Sequence, residues 1–458
     1  MSVDVDVIIV GAGAAGIGAA IELKKTSLSF VVLEARDRIG GRVYTDRETF
    51  SPIPVDLGAS WIHEYEPNNP MYSYYQKYKV DEQNNSSYDD DDDEILSLDY
   101  DGQCLSTEVE QQAKVVCAQL FQHLEKFASE NDEQEDRSVE DVVRYYYDRI
   151  VESSGQIKRI IDSFLAVFEV HEASSFPALS AKQWETIDES TIHERFVSFG
   201  YGTILERIVD QYELSIRLNT LVTRIDTRNS DRIAIYTSTI DSPIFCRRII
   251  VTIPLGCLKR ETIVFEPPLP EWKRQAIAQM GFGLMNKLIL QFPEQFWNAK
   301  KKIILRTCTE QRGRFLYTVC LPSPANILIL LITGIYAYEL EYLTDAGILD
   351  QVMIFLRQIF PQSQIPDPIK TKFTRWSQDP FAFGSYSNYA VHANKKTVEM
   401  LTRATADGRV HWAGEHAHFS DNTNKWMHGC VHSAVQSGRR AALVIKDQLG
   451  SSSFSSST

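Results

Sequence analysis

Val3-Asp4-Val5-Asp6-Val7-Ile8-Ile9-Val10-Gly11-Ala12-Gly13-Ala14-Ala15-Gly16 is the stretch that decides the fold, read together with Ile17 to Lys25 and Phe30-Val31-Val32-Leu33-Glu34. A β-branched apolar run stops at glycine, small residues at helical spacing follow, and a second apolar run ends on an acid. The order is strand, glycine turn, helix, strand, as in a dinucleotide-binding βαβ unit. Gly11 permits the tight turn, Gly13 lets backbone approach a pyrophosphate, and Gly16 lets helix and strand pack closely. Ala14 and Ala15 open the helix, whose free N–H groups and positive dipole end favour phosphate. Glu34 stands where an acid can bind a ribose hydroxyl. A lone GxGxxG is weak evidence, but here strand, helix and acid agree. Up to Glu34 the reading leaves NAD and FAD both open.

The stretch continues Ala35-Arg36-Asp37-Arg38-Ile39-Gly40-Gly41-Arg42-Val43. The glycine pair allows another close backbone approach, and Arg42 could fork onto the same pyrophosphate. Taken singly, Arg42 reads equally well as a surface charge.

Working outward, 458 residues with 43% hydrophobic content support more than one domain. The net charge of −14 disfavours nucleic acid and anionic membranes as partners and attracts cations. Seven scattered cysteines without a CxxC pair argue against a disulfide framework or a metal site and fit a reducing compartment. Asp4 and Asp6 stand where a signal peptide wants positive charge. Ile327 to Tyr338 is too short to span a bilayer and reads as a buried strand. With a serine-rich tail over 451–458 expected to be disordered, these features predict a soluble, cytoplasmic protein without a membrane anchor.

Gly58-Ala59-Ser60-Trp61-Ile62-His63-Glu64 places small residues beside a tryptophan, as where backbone passes close to something flat. His63 alone reads as an ordinary histidine. Asn68-Asn69-Pro70 precedes a tyrosine-rich helix. The acidic run Asp89 to Glu94 reads as a solvated loop, or as a rim that concentrates polycations. Val109 to Ala128 and Val139 to Phe168 have helical periodicity. Strand-like runs at 215–218, 222–226, 233–238 and 248–253 are expected to return the chain to a β-rich layer, the sheet begun by Val5. The nucleotide domain is therefore expected to be built from separated segments. Lys287 begins the apolar run Leu288 to Phe292. It reads as a surface lysine, or, in an apolar pocket, as a base-like or water-holding group with a lowered pKa. Trp376, Gly384-Ser385-Tyr386, Ala413-Gly414-Glu415 and Trp426-Met427 follow, the last opening a helix through Ala442 whose N-terminus could face a ligand.

In this order, the glycine turn, Glu34 to Arg42, Gly58 to His63, Asn286-Lys287, Trp376 and Ala413 to Glu415 resemble the flavin-containing amine oxidase family, most closely its polyamine oxidases. The resemblance covers nearly the whole chain. It implies an α/β fold: a Rossmann-like FAD-binding domain from 1–80, 200–285 and 405–450, and an α+β substrate-binding domain with a mixed sheet from 81–199 and 286–404. It implies FAD, with Gly11, Gly13, Gly16, Glu34, Ala35, Arg36, Gly41 and Arg42 about its ADP half. Gly58, Ala59, Ser60, Trp61 and Thr252 would line the same site. Val222 would meet the adenine, Gly414 and Glu415 the ribityl–phosphate region, and Met427 the flavin's pyrimidine edge. Lys287 and Trp376 match residues near flavin N5, and Tyr386 and Trp426 match the aromatics flanking the substrate amine.

Trp426 departs from a common tyrosine. His63 and Glu64, with Glu185 or Glu194, would orient a distal amine. Ser385 replaces the cysteine through which monoamine oxidases attach flavin, implying noncovalent FAD. The chain's length leaves no room for both extra modules of the family's histone demethylases. The implied reaction is oxidation of a polycationic amine such as spermine, spermidine or an N-acetyl form. Hydride passes to flavin, the imine hydrolyses to an aldehyde and a shorter amine, and O2 reoxidises the flavin to give hydrogen peroxide. An oxidase of another amine or an L-amino acid, and a noncatalytic flavin binder, are the alternatives. The attacked C–N bond and the oligomeric state are not readable.

Overall fold

The computed structural model describes residues 3–79, 95–130, 135–150, 155–184, 193–309, 311–418 and 428–450. The acidic run, Glu185, Trp426, Met427 and the serine tail lie outside them. Val5–Val10 forms a strand, Ala14–Lys24 a helix, and Phe30–Leu33 a second strand parallel to the first. Alternate residues face opposite sides of a strand. Val7 and Ile9 join one hydrophobic cluster while Ile8 and Val10 join another. The helices Ala14–Lys24 and Val431–Gly450 share the first cluster and Glu271–Gln279 and Lys395–Thr402 the second, so the strand, covered on both faces, reads as a continuous apolar run.

Among the described residues eight strands make this sheet. Ile244–Val251 lies beside Val5–Val10 in parallel and splits its other edge. Its first half pairs antiparallel with Ile233–Thr237 and its second half parallel with Val410–Trp412. Strands from the beginning, middle and end of the chain therefore meet at the glycine turn. The helix Val431–Gly450 packs along Ala14–Lys24. Gly16 is indispensable to the packing at this turn: a Cβ there would stand 1.9 Å from the Gly11 carbonyl oxygen.

A second, mixed sheet has six strands, in the order Lys370–Phe373, Met285–Gln291, Ile327–Thr333, Tyr317–Leu321, Ile303–Arg306 and Ile95–Leu98. Two expectations change here. The predicted strand 327–338 ends at Thr333. Gly334, at φ 61°, turns the chain into the helix Gly334–Glu341, and a Cβ there would meet Ser175 Oγ at 2.4 Å. The helical run 139–168 is two helices, Val139–Ile150 and Gln156–Glu172, the second preceded by Gly155 at φ 119°. With Thr107–Ser129 they enclose their own apolar cluster. Among the described residues no helix is long and apolar enough to cross a membrane, and no cluster of ligating side chains could hold a metal.

Candidate active site

One cavity of about 1010 Å³ runs between the two sheets. Every predicted site residue within the described part lines it, except Gly16, which supports it from behind. The cavity joins two differently built ends.

At the nucleotide end the wall is largely backbone. Gly13, Ala14 and Ala15 face the cavity at a helix N-terminus that has no side-chain cap and no acid in its first turn. Uncapped N–H groups at a dipole's positive end suit a phosphate. Glu34 Oε2 accepts from Ala12 N at 2.7 Å and Oε1 from Arg36 N at 2.9 Å. Each oxygen keeps acceptor capacity for a ribose hydroxyl. The second glycine pair approaches the first turn itself: Gly40 N donates to Ala12 O at 2.9 Å. Thr252 Oγ1 closes the turn by donating to Val10 O at 2.8 Å. Val222 and Ala35 complete this end.

The charged residues here are paired with one another. Arg36 forks onto Asp379 at 2.6 and 3.0 Å. Arg42 donates to Ser385 O at 2.7 Å and Glu415 Oε1 at 2.8 Å. Glu415 Oε2 also accepts from Ser387 and from Gly429 N at 3.1 Å. Burial alone would raise the Glu415 pKa, but Arg42 and His416, with the hydrogen bonds, bring it to about 2. Glu415 is thus a clamp joining three segments around the cavity.

The last helix begins later than its sequence suggests. Gly429 holds a turn at φ 75°, and the helix runs from Val431, so Cys430 and Val431 rather than Trp426 and Met427 mark its start. His428, Gly429, Cys430, Val431 and Ala434 line the cavity and were missed. Their signal lies in the run His428-Gly429-Cys430, where the glycine marks a turn ahead of the helix.

Toward the other end, strand register assembles the wall. Lys287 pairs across the sheet with Leu331, and Leu331 with Tyr317, so a row spanning three strands lines the cavity. Leu331 and Tyr317 had no sequence signal, because register is not readable from one strand. Lys287 is 4% exposed. Its Nζ donates to Asp56 O at 2.8 Å, Gly58 O at 2.6 Å and Ser60 Oγ at 2.6 Å. Burial lowers its pKa to about 8, with Asp56 opposing the shift. Lys287 is therefore no surface lysine. Its Nζ also lies 5.8 Å from the Trp61 ring centroid. Trp376 is fixed by its indole N–H donating to Leu57 O at 3.2 Å, and Tyr386 by its hydroxyl donating to Val170 O at 2.9 Å. Ala59 also faces this space.

His63, Glu64 and Glu194 line the far part, joined by Glu66, Asn68 and His171, which sequence reasoning missed. His63 Nδ1 lies 2.5 Å from Glu194 Oε1. Burial would lower the His63 pKa, but the Glu194 charge and hydrogen bond, with Glu64, raise it overall. Burial and the neighbouring Glu66 raise Glu64. His63 is 43% exposed, and its ring borders the cavity.

Residues 14–446 match the family described as flavin containing amine oxidoreductase. Polyamine oxidase 2 of Arabidopsis thaliana is 30% identical over 95% of this chain and 87% of its own length. Polyamine oxidase 4 of Oryza sativa subsp. japonica is 30% identical over the same shares. Lysine-specific histone demethylase 1 homolog 3 of Arabidopsis thaliana is 28% identical over 97% of this chain, which spans 30% of that protein's length. The uncapped helix start and the acid at the tip of the second strand fit the diphosphate and ribose of FAD, the cofactor of this family. The chain belongs to the flavin-containing amine oxidoreductases.

Proposed function

We propose that the protein is an oxidase of polyamines, acting on spermine, spermidine or their N-acetyl forms at a carbon beside a secondary amine, with FAD bound noncovalently. Bound FAD would supply the two-electron acceptor for the amine and return the electrons to O2 as hydrogen peroxide. The observation that carries the reading is a group of carboxylates, Glu64, Glu66 and Glu194, on the same cavity as Lys287 and the nucleotide cradle. Such a wall suits a ligand carrying a second positive charge away from its reacting nitrogen.

The chain's own residues divide the work. Glu64, Glu66 and Glu194 hold the distal ammonium, with His63 tempering the charge of Glu194. Tyr386, on the cavity wall, and Trp426, which lies outside the described residues, are the two aromatics assigned to flank the reacting amine. An apolar slot of this kind disfavours an ammonium by desolvation, against some cation–π attraction, so the nitrogen in it sheds its proton more readily. Holding both ends orients the reacting carbon. Lys287, held by its three acceptors, sets the charge of the opposite wall.

An amino-acid substrate would need an arginine for its carboxylate. Arg375 donates to Leu343 O and Asp345 and does not line the cavity, while Arg36 and Arg42 are committed to Asp379 and Glu415. The hydroxyl of Ser385 is tied to the backbone of Met285, which supports a noncovalent cofactor.

The test is anaerobic addition of spermine, spermidine, their acetyl forms, benzylamine, amino acids and a methyl-lysine peptide to the purified flavoprotein. Flavin bleaching by polyamines, with all flavin released into the supernatant on acid precipitation, is expected. Bleaching only by amino acids or the peptide overturns the reading.

A further inference from the structure

The acceptors around Lys287 all come from one short segment, Asp56 to Ser60. An ammonium has three donors and no acceptor. The Asp56 and Gly58 carbonyls can only accept, so two N–H bonds of Lys287 are fixed toward this segment, and Ser60 Oγ takes the third N–H of the protonated form.

Asp56 does more than offer a carbonyl. The residue is 5% exposed. Both oxygens accept from Tyr201 N at 3.0 Å, and Oδ1 also takes the Thr45 hydroxyl. Thr45 Oγ1 accepts in turn from Gly202 N at 2.9 Å. The carboxylate thus caps the helix Tyr201–Gln211 and is fixed from the nucleotide side, while Lys287 arrives from the six-stranded sheet. The other charged or titratable groups facing Asp56 are Arg47 and the Tyr201 phenol, and Asp56 is the charge that acts on Lys287.

We propose that Asp56 is a positioning residue for Lys287, its carboxylate keeping the lysine protonated and its carbonyl aiming the ammonium along the cavity wall. A buried charge needs an opposite charge or it neutralises. Burial raises Asp56 to about 6, against the pull of Lys287. Burial lowers Lys287 to about 8, against the pull of Asp56. Each charge thus opposes the neutralisation of the other, with the Asp56 carbonyl at 2.8 Å fixing the ammonium beside that residue. The inference rests on Lys287 serving the proposed amine oxidation, but its test does not depend on turnover.

The holoenzyme is labelled with 13C at the lysine ε-carbons, the Lys287 resonance is assigned by its loss in Lys287→Met, and the protein is titrated from mildly acidic to alkaline pH. The wild-type midpoint is expected near 8. Asp56→Asn keeps an acceptor for the helix cap and removes the charge. It should lower the midpoint by at least about one pH unit, a tenfold loss of proton affinity. Thr45→Val, which removes a donor from the carboxylate, should move it the same way by less. The limb of the pH profile of flavin reduction by polyamine that follows Lys287 should shift with the midpoint, which a merely structural role would not produce. An unchanged Lys287 midpoint in Asp56→Asn, or in Thr45→Val should Asp56→Asn not fold, overturns the proposal. A shifted midpoint without any amine oxidation sustains the Asp56 assignment and refutes the reading of Lys287 as a reaction residue.

Discussion

The two ends of the cavity are built by opposite means. The nucleotide end is made mainly of backbone: a helix start, glycine turns, and an acid held by two N–H groups. Its specificity needs close approach more than side-chain chemistry, so substitution should fail by collision. The far end is made of side chains brought from separate elements: His63 and Glu64 after one short strand, Glu194 before another, Lys287 on the six-stranded sheet and Tyr386 on a loop. Substitution there should leave the fold and change what is bound. The first region has no room for an added atom at Gly11, Gly16 and Gly40, while the second depends on charge.

The comparison breaks most readily at Gly16. Gly16→Val would drive a side chain into the Gly11 carbonyl, 1.9 Å from the new Cβ, and should cost more than about 3 kcal/mol with loss of bound FAD. Thermal denaturation and flavin content after gel filtration check it, and a stable, yellow variant would refute the backbone account. Next comes Lys287→Met, expected to retain FAD while slowing flavin reduction, reoxidation or both by about 100-fold. Stopped-flow measurement of the two half-reactions decides, and unchanged rates in both would leave Lys287 a structural residue.

Glu194→Gln should raise KM for polyamines by about 10-fold with a smaller change in kcat, through loss of one charge-assisted contact. An unchanged KM would remove Glu194 from the substrate end. The smallest effect is the pH response of His63. Its pKa is raised in the fold, so its pairing with Glu194 is complete below the ordinary histidine value and is lost as pH rises through the raised one. Above it Glu194 is an uncompensated acid, and polyamine affinity should rise. His63→Gln should flatten that rise, as KM measured across pH would show. A slope identical to wild type would detach His63 from the site.

The same contrast explains what a linear reading could reach. The nucleotide end was legible because its chemistry lies in one contiguous stretch, Gly11 to Arg42, with a spacing fixed by the turn. Lys287 was found through family resemblance, yet its partners Leu331 and Tyr317 depend on strand register across three segments. The pairing of Arg36 with Asp379 joins residues 343 positions apart, and no local pattern announces it. Gly334 and Gly429 do not read as boundaries because apolar or aromatic residues continue on both sides, and only their positive φ reveals the turn.

The strand Ile244–Val251 carries a kinetic consequence. It takes Val5–Val10 on one edge and Val410–Trp412 on the other, and Ala14–Lys24 finds its helical neighbour only at Val431–Gly450. A strand at residues 5–10 therefore waits for a strand at 410–412 and a helix at 431–450. Loop-closure entropy must be met across almost the whole chain before the cradle exists, which makes folding slow and leaves apolar surface open to aggregation meanwhile. Cofactor capture becomes a late event, after Val431–Gly450 has been made, and FAD supplied during refolding should raise the yield of native protein more than its rate of collapse.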